Sequence, residues 1–370
     1  MSNKILFFGA LGLKNKATVG GGETGNLRTI KMLESLGFDI IKIYKPYPPK
    51  KNFKYFFYFI SIVSSILEFF STLLKSRHKI KFCHIAGFYS HLIYYEYALV
   101  LISKVFKKHT IYEIKGGGMD FFYNNGSTIY KLFFRSVIKT SDIILSQGLE
   151  NEKLIKEIVK KKFNDKFIYY PNYIENEKLP KLIIKKKLNR NLKLIYFGRI
   201  SKDKNIKVII RLLSKLRKNG YSFKLNLIGS FGNNNYESEL KTLIKKLNLS
   251  NLVEISPPSS FSIISQYLKN SHFFIFPSIN KREGHSNSLT EAMAYGVVPI
   301  SSSIGFSSSV INNCNLILKE INDENIFQLI KKIISENCYM NYSINCQDRV
   351  RNLYSEEKAK KNLLLAYYGK

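Results

Sequence analysis

The sequence has few acidic residues and a large excess of basic ones. Its 370 residues include 27 Asp and Glu against 58 Lys and Arg, a formal net charge of +31. Such a balance favours an anionic partner, which would be a nucleic acid, an acidic membrane surface or a phosphorylated substrate. A lysine-rich surface that faces only solvent accounts for the composition equally well, because net charge governs association and not fold.

Cysteine is also scarce, and metal-binding patterns are missing. No two of the four cysteines have CxxC spacing, which excludes the common zinc and redox motifs. The histidines His84, His91 and His285 lack metal-ligand spacing, and no DxD pair lies in a suitable loop. We therefore expect neither a metal nor another cofactor. The opening MSNKILFFGALG predicts a buried strand and no signal peptide, so we expect a cytoplasmic protein with reduced thiols.

Several motifs of well-defined function are absent as well. There is no GxSxG elbow of a serine hydrolase, no GxGxxG dinucleotide fingerprint and no P-loop. Neither a helix-turn-helix nor an RNP pattern is present, and the basic residues are scattered over both halves. Nucleic-acid binding therefore rests on the charge alone.

The fold class follows from the alternation of short apolar runs with helical patterns. Apolar residues make up 45% of the chain, enough for the cores of two domains at this length. Predicted strands lie in KILFFGA, FDIIKIY, IKFCHIAG, HTIYEIKGGG, SDIILSQG and KFIYYPN, then in LKLIYFG, FKLNLIG, LVEISP, HFFIFPS and VVPISSS. This pattern predicts an α/β protein with two Rossmann-like, doubly wound parallel-sheet domains that face a cleft.

The domain limits come from a change of composition near Pro171. The polar and basic segment 173–191 predicts a connection between the domains. We predict one domain over residues 1–175, a second over 176–350 and a terminal helix over 351–370 that crosses back to the first domain.

The segment FFYFISIVSSILEFFSTLL, Phe56–Leu74, is nearly long enough to span a bilayer. Its polar residues fall within about one third of the helix circumference; they are Ser61, Ser64, Ser65, Glu68, Ser71 and Thr72. Three structures fit this pattern: a buried domain helix, a helix in the membrane interface and a membrane span. We rank them in that order, with the first two close. Nearby basic residues suit anionic headgroups; they are Lys50, Lys51, Lys54, Lys75, Arg77 and Lys79.

Two glycine clusters follow predicted strands of the first half. VGGGETGN, Val19–Asn26, precedes a helix, and KGGGMD, Lys115–Asp120, leaves another strand. Glycines allow a ligand to approach the backbone, and a following helix N-terminus favours anions. A mobile loop and an ordinary strand-to-loop turn are the alternatives.

Two loops of the second half carry charged residues. In FGRISKDKN, Arg199 and Lys204 follow a strand and are suited to bind a diphosphate, although a solvated basic loop is an alternative for Lys204. In REGHSNSLTEAMAYG, Glu283 lies on a loop, and a helix is predicted to start near Ser286 or Ser288. The helix-start N–H groups of Ser286, Asn287, Ser288 and Leu289 then form an anion site. For Glu291, a capping box with Ser288 is the structural alternative.

These motifs, in this order, resemble the family 4 retaining glycosyltransferases of the GT-B fold. The resemblance rests on EGHSNSLTE with AMAYGVVPI, on the FGR…K loop, on GGET and on YPN, and it spans nearly the whole chain. It implies an acceptor-side first domain and a donor-binding second domain. Catalysis would involve Glu283 beside the donor sugar. The donor would be bound by Arg199, Lys204, Glu291, Gly21, Gly22 and the backbone of Ser286, Asn287, Ser288 and Leu289.

The chain departs from the family at three positions. Many members have a histidine where this chain has KGGGMD, so an acceptor-side role is assigned to Lys115, Gly116 and Gly117. Asn205 replaces the usual glycine after Lys204. Ser309 stands where a glutamate is common.

The resemblance also implies a substrate class and a location. The enzyme would transfer a sugar from a UDP, GDP or dTDP sugar, without metal, to a saccharide on a polyprenyl diphosphate. Such transfers build O-antigen, capsule or other surface polysaccharides. The protein would be cytoplasmic and peripheral on the anionic inner membrane. The alternatives are a basic nucleic-acid-binding protein and a catalytically silent GT-B scaffold.

Overall fold

The computed structural model describes residues 3–12, 21–48, 53–87, 89–183, 188 and 190–369. The chain forms two compact units: Met1–Pro171 with Ala359–Lys370, and Asn172–Lys358. Each unit contains a six-stranded sheet in which every strand pairing is parallel. The two Rossmann-like α/β domains predicted from the sequence are therefore confirmed.

The first unit has strand order β2-β1-β3-β4-β5-β6. Its strands are β1 (Lys4–Gly9), β2 (Asp39–Tyr44), β3 (Ile80–Gly87), β4 (His109–Ile114), β5 (Ile143–Ser146) and β6 (Phe167–Tyr169). Its helices are α1 (Gly21–Ser35), α2 (Lys54–Ser76), α3 (Ile93–Val105), α4 (Met119–Asn125), α5 (Thr128–Thr140), α6 (Glu152–Val159) and α7 (Phe163–Lys166). The central strands are buried on both sides, which is why they are continuous apolar runs in the sequence.

The second unit has strand order β12-β11-β10-β7-β8-β9. Its strands are β7 (Asn191–Phe197), β8 (Ser222–Ile228), β9 (Val253–Ser256), β10 (Phe273–Phe276), β11 (Val298–Ser302) and β12 (Ile317–Leu318). Its helices are α8 (Ile206–Lys218), α9 (Asn234–Lys246), α10 (Phe261–Asn270), α11 (Asn287–Ala294), α12 (Ser307–Ile311), α13 (Asp323–Ser335) and α14 (Tyr339–Leu353). The last helix, α15 (Glu356–Tyr368), starts in this unit, and its residues from Ala359 onward belong to the first unit.

The start of α1 corrects the prediction of a glycine-rich loop over Val19–Asn26. Gly21 begins the helix, while Val19 and Gly20 lie outside the described residues. The buried amide of Asn26 donates to the Ala10 carbonyl at 2.9 Å. A β-carbon on Gly9 would lie 2.9 Å from the Asn26 Nδ2 atom. The first turns of α1 therefore pack directly against the end of β1, and small residues permit this packing.

Helix α2 is mostly exposed on its apolar side. It is long and apolar enough to cross a membrane, yet only 17% of its most apolar window is buried. Ser65, Phe69 and Leu73 are its buried residues. The first-ranked expectation, a buried domain helix, is therefore wrong for most of its apolar residues. Ser65, which the sequence pattern assigned to the polar side, faces the core and accepts a hydrogen bond from the Tyr95 hydroxyl at 2.7 Å.

Candidate functional site

The predicted donor residues of the second unit lie on two loops that leave neighbouring strands. Strand β7 pairs with β10 in parallel, so their carboxyl ends lie side by side. The loop after β7 carries Arg199 and Lys204, and the loop after β10 carries Glu283. Loops at the carboxyl ends of parallel strands form the ligand sites of doubly wound sheets.

Lys204 and Glu283 are in direct contact. The Lys204 ammonium pairs with Glu283 Oε2, and the two side chains are only 11% and 12% exposed. The Ser278 hydroxyl donates to the same oxygen at 2.9 Å. The Lys204 ammonium also lies 5.2 Å from the centre of the Phe276 ring. Both polar contacts use Oε2, so neither of them engages Oε1 of the proposed catalytic carboxylate.

Arg199 is oriented by a carboxylate that the sequence analysis missed. Its Nη2 atom lies 3.2 Å from Asp203 Oδ2, while 58% of the arginine side chain stays exposed. Asp203 also accepts hydrogen bonds from the Ser201 hydroxyl and, at 3.0 Å, from the Asn280 amide. Burial opposes ionisation, but the Ser201 hydrogen bond and the charge of Arg199 lower the pKa of Asp203. A carboxylate four residues after a candidate arginine was the available signal.

Asp203 also joins the two loops through its backbone. The Ile279 N–H donates to the Asp203 carbonyl at 2.9 Å. Its carboxylate thus orients Arg199 within the β7–α8 loop and binds Asn280 on the β10–α11 loop. This arrangement makes Asp203 a positioning residue for an arginine whose guanidinium is largely exposed.

We expect Asp203→Asn to weaken nucleoside-diphosphate binding about tenfold, because a neutral amide loses the charge-assisted contact that orients Arg199. Titration calorimetry with the diphosphate that binds the native protein measures the change. Glu239→Gln is the matched control, since Glu239 forms ion pairs with Lys202 and Lys207 instead. Equal affinity of Asp203→Asn and the native protein would contradict the positioning role.

Asn205 has a backbone conformation that explains its departure from the family pattern. It precedes α8 with φ 54° and ψ 38°, in the left-handed region. Glycine adopts this region without cost, and asparagine is one of the few other residues that tolerate it. Asn205 therefore preserves the turn that positions Lys204.

The N-terminus of α11 differs from the predicted capping box. The helix starts at Asn287, and the Ser286 side chain accepts a hydrogen bond from the Leu289 N–H at 3.4 Å. The capping box between Ser288 and Glu291 is therefore wrong, because the cap lies two residues earlier. Of the predicted phosphate donors, the Leu289 N–H is used by this cap. Glu291 is half-buried in the second turn of α11.

The loop before α11 is fixed by buried contacts on its other side. The Asn172 amide, from the YPN motif, donates to the His285 carbonyl at 2.8 Å. The buried His285 ring bonds Thr290 at 2.6 Å and contacts the Tyr354 ring edge-on at 4.9 Å. His285 is thus a structural residue of the site.

Glycine at position 305 lets the β11–α12 loop pack directly on Glu283. A β-carbon there would lie 2.3 Å from the Glu283 carbonyl oxygen, and Gly305 has φ +65°. Nearby, the Ser309 hydroxyl donates to the Phe306 carbonyl at 3.2 Å, and the Ser309 carbonyl accepts from Arg349 at 2.6 Å. The replacement of glutamate by Ser309 thus leaves a serine engaged within its own helix.

In the first unit, Lys115 belongs to a buried polar chain. Its ammonium, 3% exposed, pairs with Glu113. The His84 Nε2 atom lies 3.0 Å from the other Glu113 oxygen, and its Nδ1 atom lies 2.7 Å from the Tyr367 hydroxyl of α15. Burial lowers the pKa values of His84 and Lys115. Although burial opposes it, the charge of Lys115 lowers the pKa of Glu113. An acceptor-side role for Lys115 stays a prediction.

The glycines after Lys115 have a clear backbone role. Gly116 and Gly118 have φ 90° and 81°, which other residues rarely adopt. The Gly116 N–H donates to the Gln147 side chain at 3.3 Å, and the Gly117 carbonyl accepts from the Tyr89 hydroxyl. In the same unit, Gly21 and Gly22 form the first residues of α1. Ligand contacts by these glycines also stay predictions.

No group of three or more His, Cys, Asp or Glu side chains suited to a metal ion occurs among the described residues. The site of the second unit instead combines two cations with two carboxylates. Such a set binds phosphate through Arg199 and Lys204 and hydroxyl groups through Glu283.

Comparisons with known proteins agree with this fold and site. Residues 180–352 match the family profile of "Glycosyl transferases group 1", which covers nearly the whole second unit. A capsular polysaccharide biosynthesis glycosyltransferase, CapM of Staphylococcus aureus, is 32% identical over 174 residues. That match covers 46% of this chain and 44% of the relative, so the chain spans less than half of the length of CapM.

Solved structures share the fold over the whole chain. A glycosyltransferase from Rickettsia africae superposes with a TM-score of 0.74 at 18% identity, covering 100% of this chain and 98% of that one. Anabaena Alr3699/HepE, solved in complex with UDP, gives 0.72 at 12% identity and covers 99% and 100%. The fold class is therefore that of the GT-B glycosyltransferases, and the second unit is similar to glycosyl transferases of group 1.

Proposed function

We propose that this protein is a retaining glycosyltransferase that takes a sugar from a nucleoside-diphosphate sugar without a metal ion. One observation carries the proposal: Lys204, Glu283 and Ser278 form a nearly buried cluster beside Arg199, at the carboxyl ends of two neighbouring strands. The cluster lies within the region that matches glycosyl transferases of group 1.

The two cations suit the charge of the donor. Arg199 offers a planar fork and Lys204 a compact charge, and together they would bind the diphosphate and stabilise it as it leaves. The N–H groups at the start of α11 would add to this, since a helix N-terminus favours anions. Glu291, in the same helix, would bind the ribose hydroxyls.

Glu283 would bind hydroxyl groups of the donor sugar near the reacting carbon. Contact with Lys204 and Ser278 keeps the carboxylate in place before the donor arrives. In the transfer, the bond between the anomeric carbon and the phosphate oxygen breaks, and a bond to the acceptor oxygen forms on the same face. The leaving phosphate takes the acceptor proton, so no dedicated base is required.

The acceptor would be a growing saccharide on a polyprenyl diphosphate, in the synthesis of a surface polysaccharide. A capsular relative supports the pathway class, and neighbours solved with UDP and UDP-glucose support the donor class. The high positive charge supports work at the anionic cytoplasmic face of the inner membrane. Nucleic-acid binding has no support beyond that charge.

A transfer assay tests the proposal. The protein is incubated with a UDP-, GDP- or dTDP-sugar and a lipid-linked saccharide extract, with and without EDTA. We expect release of one diphosphate that depends on the extract and persists in EDTA. The anomeric configuration of the product, read by NMR, should match that of the donor. Loss of activity in EDTA would contradict metal independence, and an inverted product would contradict retention.

A further inference from the structure

The outer side of α2 carries an apolar stripe that no described part of the chain covers. Its residues recur at intervals of three and four, and so share one side of the helix; they are Phe56, Phe59, Ile60, Val63, Leu67, Phe70 and Leu74. Phe59 is 64% exposed and Leu67 is 61% exposed. A soluble monomer rarely exposes so continuous an apolar surface without a partner.

The stripe is distinct from the side of α2 that packs on the domain. The inner side contributes Phe69 and Leu73 to the main core cluster, with Ile62 and Ile66 packed against it. A third side carries Ser64, Glu68, Ser71 and Lys75. The helix therefore has a core side, a polar side and a separate apolar side that faces outward.

Two neighbouring helices extend this surface. Core residues of α2, α3 and α5 pack with Leu6 and Phe8 of β1, so the three helices cover the same side of the sheet. The alternate residue Phe7 stacks on His84, which bonds α15 on the opposite side. The exposed apolar residues of α3 and α5 are Tyr94, Leu101, Val105, Ile129 and Leu132.

Charge is distributed unevenly over the three helices. Each follows a parallel strand, so its N-terminus lies at the carboxyl edge of the sheet, beside the Gly116–Gly118 loop. Aromatic side chains gather at that edge: Phe56, Phe57, Phe59, Tyr94 and Phe121. Exposed basic residues lie at or beyond the other ends: Lys75, Arg77, Lys79, Lys107, Arg135 and Lys139. The exposed acidic residues of these helices and of α4 are Glu68 and Asp120.

We propose that this surface, the outer sides of α2, α3 and α5, binds an anionic lipid bilayer. The apolar residues enter the boundary between headgroups and acyl chains, and the basic residues contact the headgroups. The position of the surface rests on geometry alone, while its purpose rests on the proposed function: the aromatic edge would bring a lipid-linked acceptor to the Gly116–Gly118 loop.

Two other occupants fit less well. A membrane span requires α2 to leave the domain, but Phe69 and Leu73 are fully buried and Ser65 is bonded to Tyr95 of α3. A second copy of the chain would bring together two surfaces with the same excess of basic residues. An anionic bilayer complements both the apolar and the basic residues.

The absence of tryptophan from the chain allows a direct test. Phe59→Trp places a single fluorophore on the stripe, and Leu365→Trp places one on exposed α15, on the other side of the sheet. With vesicles of phosphatidylglycerol and phosphatidylethanolamine, we expect a blue shift and quenching by brominated acyl chains only for Phe59→Trp. Phosphatidylcholine vesicles should give a much smaller change.

A second set of variants measures the binding contribution. The triple variant Phe59→Ser, Val63→Ser, Leu67→Ser should lower binding to anionic vesicles at least tenfold, because three exposed apolar side chains no longer enter the bilayer. Leu365→Ser should bind as the native protein does. Because the replaced residues are exposed, the melting temperature should change little.

Three results would overturn the inference: no response of Phe59→Trp to vesicles, unchanged binding of the triple variant, or native dimers that the triple variant dissociates. Its failure is separable from failure of the proposed function. Stabilisation by a nucleoside diphosphate, measured without vesicles, depends on the second-unit site and not on this surface.

Discussion

Glu283→Gln should lower kcat about 100- to 1000-fold, the usual size of losing one preorganised electrostatic contact. Glutamine has the same shape and can still accept hydrogen bonds from Lys204 and Ser278, which both contact Oε2 in the native protein. What it removes is the negative charge, which balances Lys204 and would interact with the sugar as positive charge develops. Affinity for the diphosphate should change less than turnover does.

The readouts are steady-state transfer and thermal unfolding of the same preparation. Glu254→Gln is the matched control, because Glu254 pairs with Lys224 at 3.2 Å on the distant edge strand β9. Native turnover in Glu283→Gln would remove Glu283 from the site, whatever the melting temperature.

Gly305→Ala should disturb the same carboxylate from behind. The new β-carbon would lie 2.3 Å from the Glu283 carbonyl oxygen and 2.6 Å from the Glu283 β-carbon, so the loop must move. A displacement of about 1 Å at a catalytic group is sufficient for a loss on the order of 100-fold. The left-handed backbone adds about 1–2 kcal/mol of destabilisation.

Gly220→Ala separates the two effects. Gly220 has φ +75°, and its nearest neighbour within 4 Å would be Arg190 Nη1 at 3.7 Å. This control should lose similar stability and keep its turnover. Equal turnover losses in both variants would mean that Gly305 affects activity through stability alone.

Much of the fold was predictable because parallel strands buried on both sides are nearly continuous apolar runs. All eleven predicted strands are present, and only the two-residue β12 was missed. The start of α1 was not predictable from local pattern, since glycines there indicate a loop unless the packing of Asn26 against Ala10 is known.

The outward apolar side of α2 was also hidden in the sequence. Phe59, Phe69 and Leu67 are equally apolar, and only the position of the sheet decides that Phe69 is buried. Local pattern gave the amphipathic helix, but it assigned Ser65 to the wrong side.

The site was predictable where the motif itself carried the chemistry. Arg199, Lys204 and Glu283 lie on loops after neighbouring strands, as the pattern implied. Asp203 was missed because a carboxylate between two lysines looks like a solvated charge. Its contact with Asn280 joins residues 77 positions apart, which no local pattern reveals. The capping box failed because Ser286 and Ser288 are both good caps, and long-range packing selects Ser286.

The central claim is that Arg199 and Lys204 form a site for a nucleoside diphosphate. The most direct measurement is thermal unfolding with UDP, GDP, dTDP or CDP, and with a random oligonucleotide in moderate salt. At about a hundred times its dissociation constant, the right diphosphate should stabilise the native protein by about 2.7 kcal/mol. We predict that one diphosphate raises the melting temperature and that Arg199→Ala abolishes the shift. Stabilisation by the oligonucleotide alone would contradict the account.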